Sequence, residues 1–93
     1  MIITYTPEAI NDLIRLREFI ESKNPQAAQR IAKALIDGIK QLKDFPHLGA
    51  EVAEAPNPEI IRDLILGDYI TRYLVKTNKV HILRIWHHKE ERL

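Results

Sequence analysis

The stretch IRDLILGDYITRYLVKTNKVHILRIWH, from Ile61 to His87, decides the fold. It divides into Ile61–Leu66, Tyr69–Lys76 and Lys79–His87, three segments rich in Ile, Leu, Val and Tyr, which suit a pleated, half-buried surface. Gly67-Asp68 and Thr77-Asn78 stand between them, two-residue breaks of the kind that close hairpins. The spacing predicts an antiparallel meander. Arg72 and Arg84 each interrupt an otherwise apolar strand, and a mid-sheet arginine must reach solvent or a carboxylate, because burying it unpaired is costly. Asp63 and Asp68, on neighbouring strands, are the expected partners. Alternatively, the second sheet face is a polar recognition surface for an acidic partner; both readings can hold together. Trp86 and Tyr73 read as core or cross-strand packing.

Upstream, Ile2–Tyr5 is a β-branched and aromatic run that stops before Pro7. Thr6 reads as a helix N-cap with Pro7 at the first helical position, and Asn24-Pro25 repeats the signal. Helix one therefore ends near Ser22. Its apolar positions Ile10, Leu13, Ile14 and Phe19–Ile20 follow helical spacing, with Asp12, Arg15 and Glu18 placed opposite them. Helix two carries one stripe, Ala28, Ile31, Ala32, Leu35, Ile36, Ile39 and Leu42. A short connection makes the two an antiparallel hairpin, and only the sheet can cover it. Phe45 to Pro58, with Pro46, Pro56, Pro58 and Gly49, reads as an irregular surface connection. The predicted architecture is α+β: an N-terminal strand and a helical hairpin packed on a mostly antiparallel sheet, in one domain spanning 1–93.

Composition narrows the chemistry. With 93 residues, 45% apolar and 29% charged, the chain has the balance of one ordinary globule. It has no cysteine, which excludes disulfides, thiolate metal sites and cysteine nucleophiles and suits a reducing cytosol. No apolar run is long enough for a membrane span, and no signal-peptide pattern opens the chain. A formal charge of +1 disfavours a dedicated phosphate-gripping protein. Four histidines invite a metal reading, but alternation puts His81 and His87 on one face and His88 on the other, so no metal site is expected. His87, His88, Lys89, Glu90 and Arg92 do supply the residue types of phosphodiester chemistry, with Arg72 and Arg84 nearby on the sheet. There is no phosphate loop or nucleophile elbow, and helix two lacks the polar face of a DNA-reading helix. No cofactor is implied.

The order of elements resembles the RelE/ParE superfamily of bacterial toxins from type II toxin–antitoxin pairs. The phrases that carry it are Thr6-Pro7-Glu8-Ala9, Asn24-Pro25 with Ala28, Phe45-Pro46-His47-Leu48-Gly49, Arg62-Asp63-Leu64, Tyr69–Val75 and Val80–His87. The resemblance implies two readings. Toxins like RelE and YoeB cut messenger RNA on the ribosome and carry an arginine three residues before the tyrosine matching Tyr73; here that residue is Ile70. Their catalytic set would reduce to His88 and Arg92, with Glu51 or Glu54 as base; the C-terminal tyrosine of RelE has no counterpart up to Leu93. Arg72 before Tyr73, and His87 after Arg84-Ile85-Trp86, look like ParE, whose members poison DNA gyrase by binding. His88-Lys89-Glu90 departs from the glycine and arginines usual there. The ParE-like reading is preferred, with gyrase as target and Arg72, Arg84, His87, Lys89 and Arg92 as target contacts. It places the chain in the bacterial cytoplasm beside a cognate antitoxin, expected to fold along apolar surface left accessible at Leu13, Leu16, Ile20, Ile31 and Leu35.

Overall fold

The computed structural model describes residues 1–57 and 60–90. Strand β1 (Ile2–Tyr5) leads into helices α1 (Pro7–Lys23) and α2 (Pro25–Lys40), the second tightening into a 3₁₀ turn at Gln41–Lys43. Strands β2 (Ala50–Glu51), β3 (Ile61–Leu66), β4 (Tyr69–Lys76) and β5 (Lys79–His87) follow. Both helices start where the caps dictate. The Thr6 hydroxyl accepts from the Ala9 N–H at 3.0 Å, and the Asn24 side chain from the Ala27 N–H at 3.2 Å. Each cap satisfies a donor that a helix start leaves open and contributes about 1 kcal/mol.

The five strands form one sheet in the order β1-β5-β4-β3-β2. β3, β4 and β5 make the antiparallel meander, and β1 joins β5 in parallel. Leu66 faces Tyr69 and Lys76 faces Lys79, so both hairpin loops have two residues. Gly67 sits at φ 61° and Asn78 at φ 65°, the left-handed conformation that Gly and Asn reach most cheaply. Leu16, Ile39 and Leu42 from the helical layer pack on Leu64, Tyr73, Val75, Val80, Ile82 and Ile85 of the sheet. The result is α+β in two layers.

Three features depart from the sequence reading. First, the Pro-rich connection is not wholly irregular: it contributes β2, with Ala50 opposite Asp63 and Glu51 opposite Arg62. Long-range hydrogen bonds pin it. The Gly49 N–H donates to the Tyr73 hydroxyl (2.8 Å), which donates on to the Pro46 carbonyl (2.8 Å). Arg62 donates to the carbonyls of Gly49 (2.8 Å) and His47 (3.3 Å). Only glycine fits at 49, since a Cβ there would lie 2.8 Å from the Asp63 carbonyl oxygen. Second, Arg72 pairs with Arg84 while Tyr73 pairs with Ile82, leaving Leu83 without a partner as a one-residue bulge. His81 therefore lies opposite Leu74 and His87 opposite Tyr69, on different faces of the sheet rather than the same one. Third, α1 buries Ala9, Asp12 and Leu16, whereas Ile10 (46%), Ile14 (50%) and Phe19 (60%) are exposed.

Candidate functional site

β1 stops at Tyr5, opposite Ile82, so from there on the outer edge of β5 has no strand beside it. Helix α1 closes that edge with side chains. The Thr6 N–H donates to the Ile82 carbonyl (3.0 Å) and the Thr6 hydroxyl to the Leu83 carbonyl (2.9 Å). Six residues on, the Asp12 carboxylate accepts the Ile85 N–H at 2.9 Å. An edge N–H left bare under a helix would cost its full desolvation, so an acceptor belongs at this position. Asp12 also accepts two hydrogen bonds from Arg84 (2.8 and 3.1 Å) and one from Arg15 (3.1 Å). It is only 3% exposed. Burial alone would raise its pKa, but the hydrogen bonds from Arg84, the Ile85 N–H and Arg15 outweigh that and hold the carboxyl below its ordinary value.

Arg15 carries the network further, donating to Glu90 at 2.7 Å. The other Glu90 oxygen accepts the His87 N–H at 3.3 Å. The turn after β5 is thereby tied to α1. The Arg84 pairing corrects the sequence reading, which offered Asp63 or Asp68 as the partner and set Asp12 toward solvent. A signal was present: a lone carboxylate between Ala9 and Leu16 at helical spacing, and a mid-strand arginine needing a partner.

The expected target contacts fall in three places. His87 and Lys89 come together on the wall of a cavity of about 510 Å³, between α1 and the end of β5. The His87 ring stacks on His88 (4.8 Å) and meets the Tyr69 ring edge-on (5.2 Å); its Nδ1 accepts the Lys89 N–H at 3.1 Å. Arg72 lies elsewhere, bound to both Asp63 oxygens (2.8 and 2.9 Å) with its guanidinium 5.3 Å from the Trp86 ring. Arg84 is committed to Asp12 at the strand edge. Arg92 lies outside the described residues. His88, half-exposed, donates its N–H to the Asp68 carbonyl (2.8 Å) and holds Nε2 at 3.6 Å from the Asp68 carboxylate. Glu51 is on β2, beyond β4 and β3 from the strand that leads to His88, and lies 3.8 Å from Arg62.

All five expected antitoxin contacts line one crevice of about 20 Å³ between the helices. Leu16 (4%) and Leu35 (3%) are core, so the accessible strip expected there is closed at those two positions. Open space lies on either side instead. One part is the cavity already described, to which Leu16 and Ile20 contribute. The other, about 560 Å³, lies between Ile31, Leu35 and Gly38 of α2 and Leu66–Tyr69 of the hairpin tip.

This two-layer arrangement is shared with solved structures. One from the chromosomal ParDE toxin–antitoxin system of P. aeruginosa superposes with a TM-score of 0.79 over 94% of this chain and 95% of that one, a likeness of fold at 24% identity. The sequence profile described as ParE toxin of type II toxin–antitoxin system, parDE, matches residues 3–92. The chain belongs to the ParE toxin family. Two relatives from Caulobacter vibrioides support the wider grouping with RelE. Toxin RelE2 is 34% identical over 85 residues (91% of this chain, 92% of the relative), and Toxin RelE1 is 31% identical over 84 (90% and 89%). As a ParE-family toxin of a type II pair, the chain has a cognate antitoxin as its partner. Among the described residues, no helix is long and apolar enough to cross a membrane, and no group of three His, Asp or Glu could hold a metal ion.

Proposed function

We propose that this toxin arrests bacterial growth in the cytoplasm by binding and poisoning DNA gyrase. Its contacts would come from His87, Lys89 and Arg92, with Arg72 and Arg84 holding the surface behind them. The observation that carries this reading is how the two sheet arginines are used. Arg72 and Arg84 each give two hydrogen bonds to a carboxylate, Asp63 and Asp12. A cation so engaged is a poor clamp for a scissile phosphate, which needs free, converging donors. Ile70, where the cleaving toxins carry arginine, points the same way.

The test is a supercoiling assay with purified toxin and gyrase, run beside a ribosome-bound messenger assay. Loss of supercoiling with intact messenger is the expected result. The RelE names of the two curated relatives favour the ribosome-dependent nuclease as the second reading. Codon-positioned cleavage that disappears in His88→Ala would establish it in place of the first.

A further inference from the structure

The sheet has two edges, and they are defended differently. The β2 edge is two residues long, carries Glu51 beside Arg62, and is held within the Pro-rich connection. The β1 edge presents Ile2-Ile3-Thr4-Tyr5, with no charge, proline or bulge among them, and Ile2 is 59% exposed. The N–H groups of Ile2 and Thr6 donate to the carbonyls of Asn78 and Ile82, both at 3.0 Å, so the even-numbered residues bond inward to β5. The N–H and C=O groups of Ile3 and Tyr5 therefore point outward, and among the described residues no backbone group meets them. A bare edge of this composition is a template for another strand.

Charge selects the occupant. At the start of β1 stand the Met1 ammonium and Lys79, which lies opposite Ile2, with Lys76 opposite Lys79 in turn. None of these cations has a carboxylate partner among the described residues, and like charges directly opposed cost stability. Past the other end of β1 stands Glu8, exposed, within the attraction of Arg84 but in no ion pair among the described residues. One edge thus carries unpaired cations at its start and an unpaired anion past its end. A two-fold axis turns that strand end for end, so the edge is complementary to itself.

We propose that two copies of this chain associate through β1, pairing antiparallel about Thr4 into one continuous sheet. Ile3 then lies opposite Tyr5 of the second copy, and the reverse, each exchanging both backbone hydrogen bonds. Thr4 meets its counterpart at the axis, a closely spaced position that suits a small side chain. Met1 falls opposite Pro7 of the second copy, beside Glu8. A register shifted further toward the helix fails, because Pro7 has no N–H to give. β1 pairs only with Lys79–Ile82, so the turn bearing His87 and Lys89 stays uncovered, and the dimer presents two such surfaces facing opposite ways.

The test uses the full chain without antitoxin. Analytical ultracentrifugation should show the mass doubling as concentration rises. Amide exchange at Ile3 and Tyr5 should slow over the same range, while at Ile65, exposed on β3 beyond β2, it should not. Glu8→Lys and Lys79→Glu should each weaken the dimer about fivefold or more, and the double variant should recover most of the loss. Both positions are exposed, and circular dichroism checks that the variants fold. A chain that stays monomeric with fast exchange at Ile3 and Tyr5 overturns the proposal, as does a dimer that protects Ile65 instead or ignores both charge reversals. A monomeric toxin whose Ile3 and Tyr5 amides are protected only in complex with antitoxin overturns it too, and gives the edge to the antitoxin.

Discussion

Arg72–Asp63 and Arg84–Asp12 are the same chemical pair in two settings. Asp63 and Arg72 are nine residues apart, directly opposite on adjacent strands, and each side chain is 23% exposed. Asp12 and Arg84 are separated by 72 residues and join a helix to a strand edge. Asp63 serves one arginine; Asp12 serves two and a backbone N–H besides. The first is a cross-strand pair on a face that water still reaches. The second substitutes for a missing strand, so its carboxylate is part of the sheet's hydrogen bonding. Position, rather than chemistry, decides which pair the fold depends on.

Asp12→Ala should be the most damaging change. It strips the buried Ile85 N–H of its acceptor and ends three charge-assisted hydrogen bonds, although Arg84 and Arg15 are half exposed and can turn to water, so the expected loss is about 3 kcal/mol. Urea unfolding measures it directly; a loss under about 1 kcal/mol would mean that water replaces the carboxylate.

Acid should remove part of the same contribution. The folded pKa of Asp12 lies below its unfolded value of about 3.9, so its stabilisation is complete above that value and is lost as pH falls through the folded pKa. The wild type should therefore lose stability on acidification below about pH 4, and Asp12→Asn should show a flatter acid limb in urea titrations.

Asp63→Ala tests the other side of the comparison. The pair is charge-assisted but partly solvated, so about 1–2 kcal/mol is expected, well short of Asp12→Ala. Equal losses in the two variants would erase the distinction drawn between the settings.

Arg84→Ala should cost less again, about 1 kcal/mol, because Asp12 keeps Arg15 and the Ile85 N–H. A double-mutant cycle with Asp12→Ala isolates this coupling. The exposed Arg17–Glu21 pair on α1 sets the floor: its removal should cost no more than about 0.5 kcal/mol and vanish in high salt.

The same contrast separates what the sequence announces from what it hides. Thr6, Asn24 and the two hairpin breaks act on residues within a few positions, and all four are readable as written. The Arg72–Asp63 pair was legible because adjacent strands of a meander bring near residues together. Asp12 was legible only as a carboxylate spaced between Ala9 and Leu16; its burial depends on where β1 ends relative to β5, a fact of tertiary register. Helix periodicity averaged over Ile10, Leu13 and Ile14 turned α1 toward the wrong neighbours, since the surface it covers needs an acceptor as well as hydrophobic contact. β2 escaped notice for a related reason: two residues carry no alternation, and the segment is held by Tyr73 and Arg62 from distant strands. At the site, His87 and Lys89 were foreseen as neighbours, but the cavity they share with Leu16 and Ile20 emerged only with the packing.

The unpaired Leu83 makes one residue of β5 spare. Taking a residue out of an interior strand ordinarily turns everything beyond it to the wrong side of the sheet. At Leu83 the deletion leaves each remaining pair as it was, Ile82 with Tyr73 and Arg84 with Arg72, and costs locally the Thr6 hydrogen bond to the Leu83 carbonyl. Insertion is the opposite case. A second extra residue in β5 has no such slack to enter: if the bulge is kept, every residue beyond the insertion turns to the other face, and if the strand straightens instead, the pairing beyond it slips by two residues and His87 leaves its place opposite Tyr69. The strand is thus built to shorten by one residue more easily than to lengthen by one.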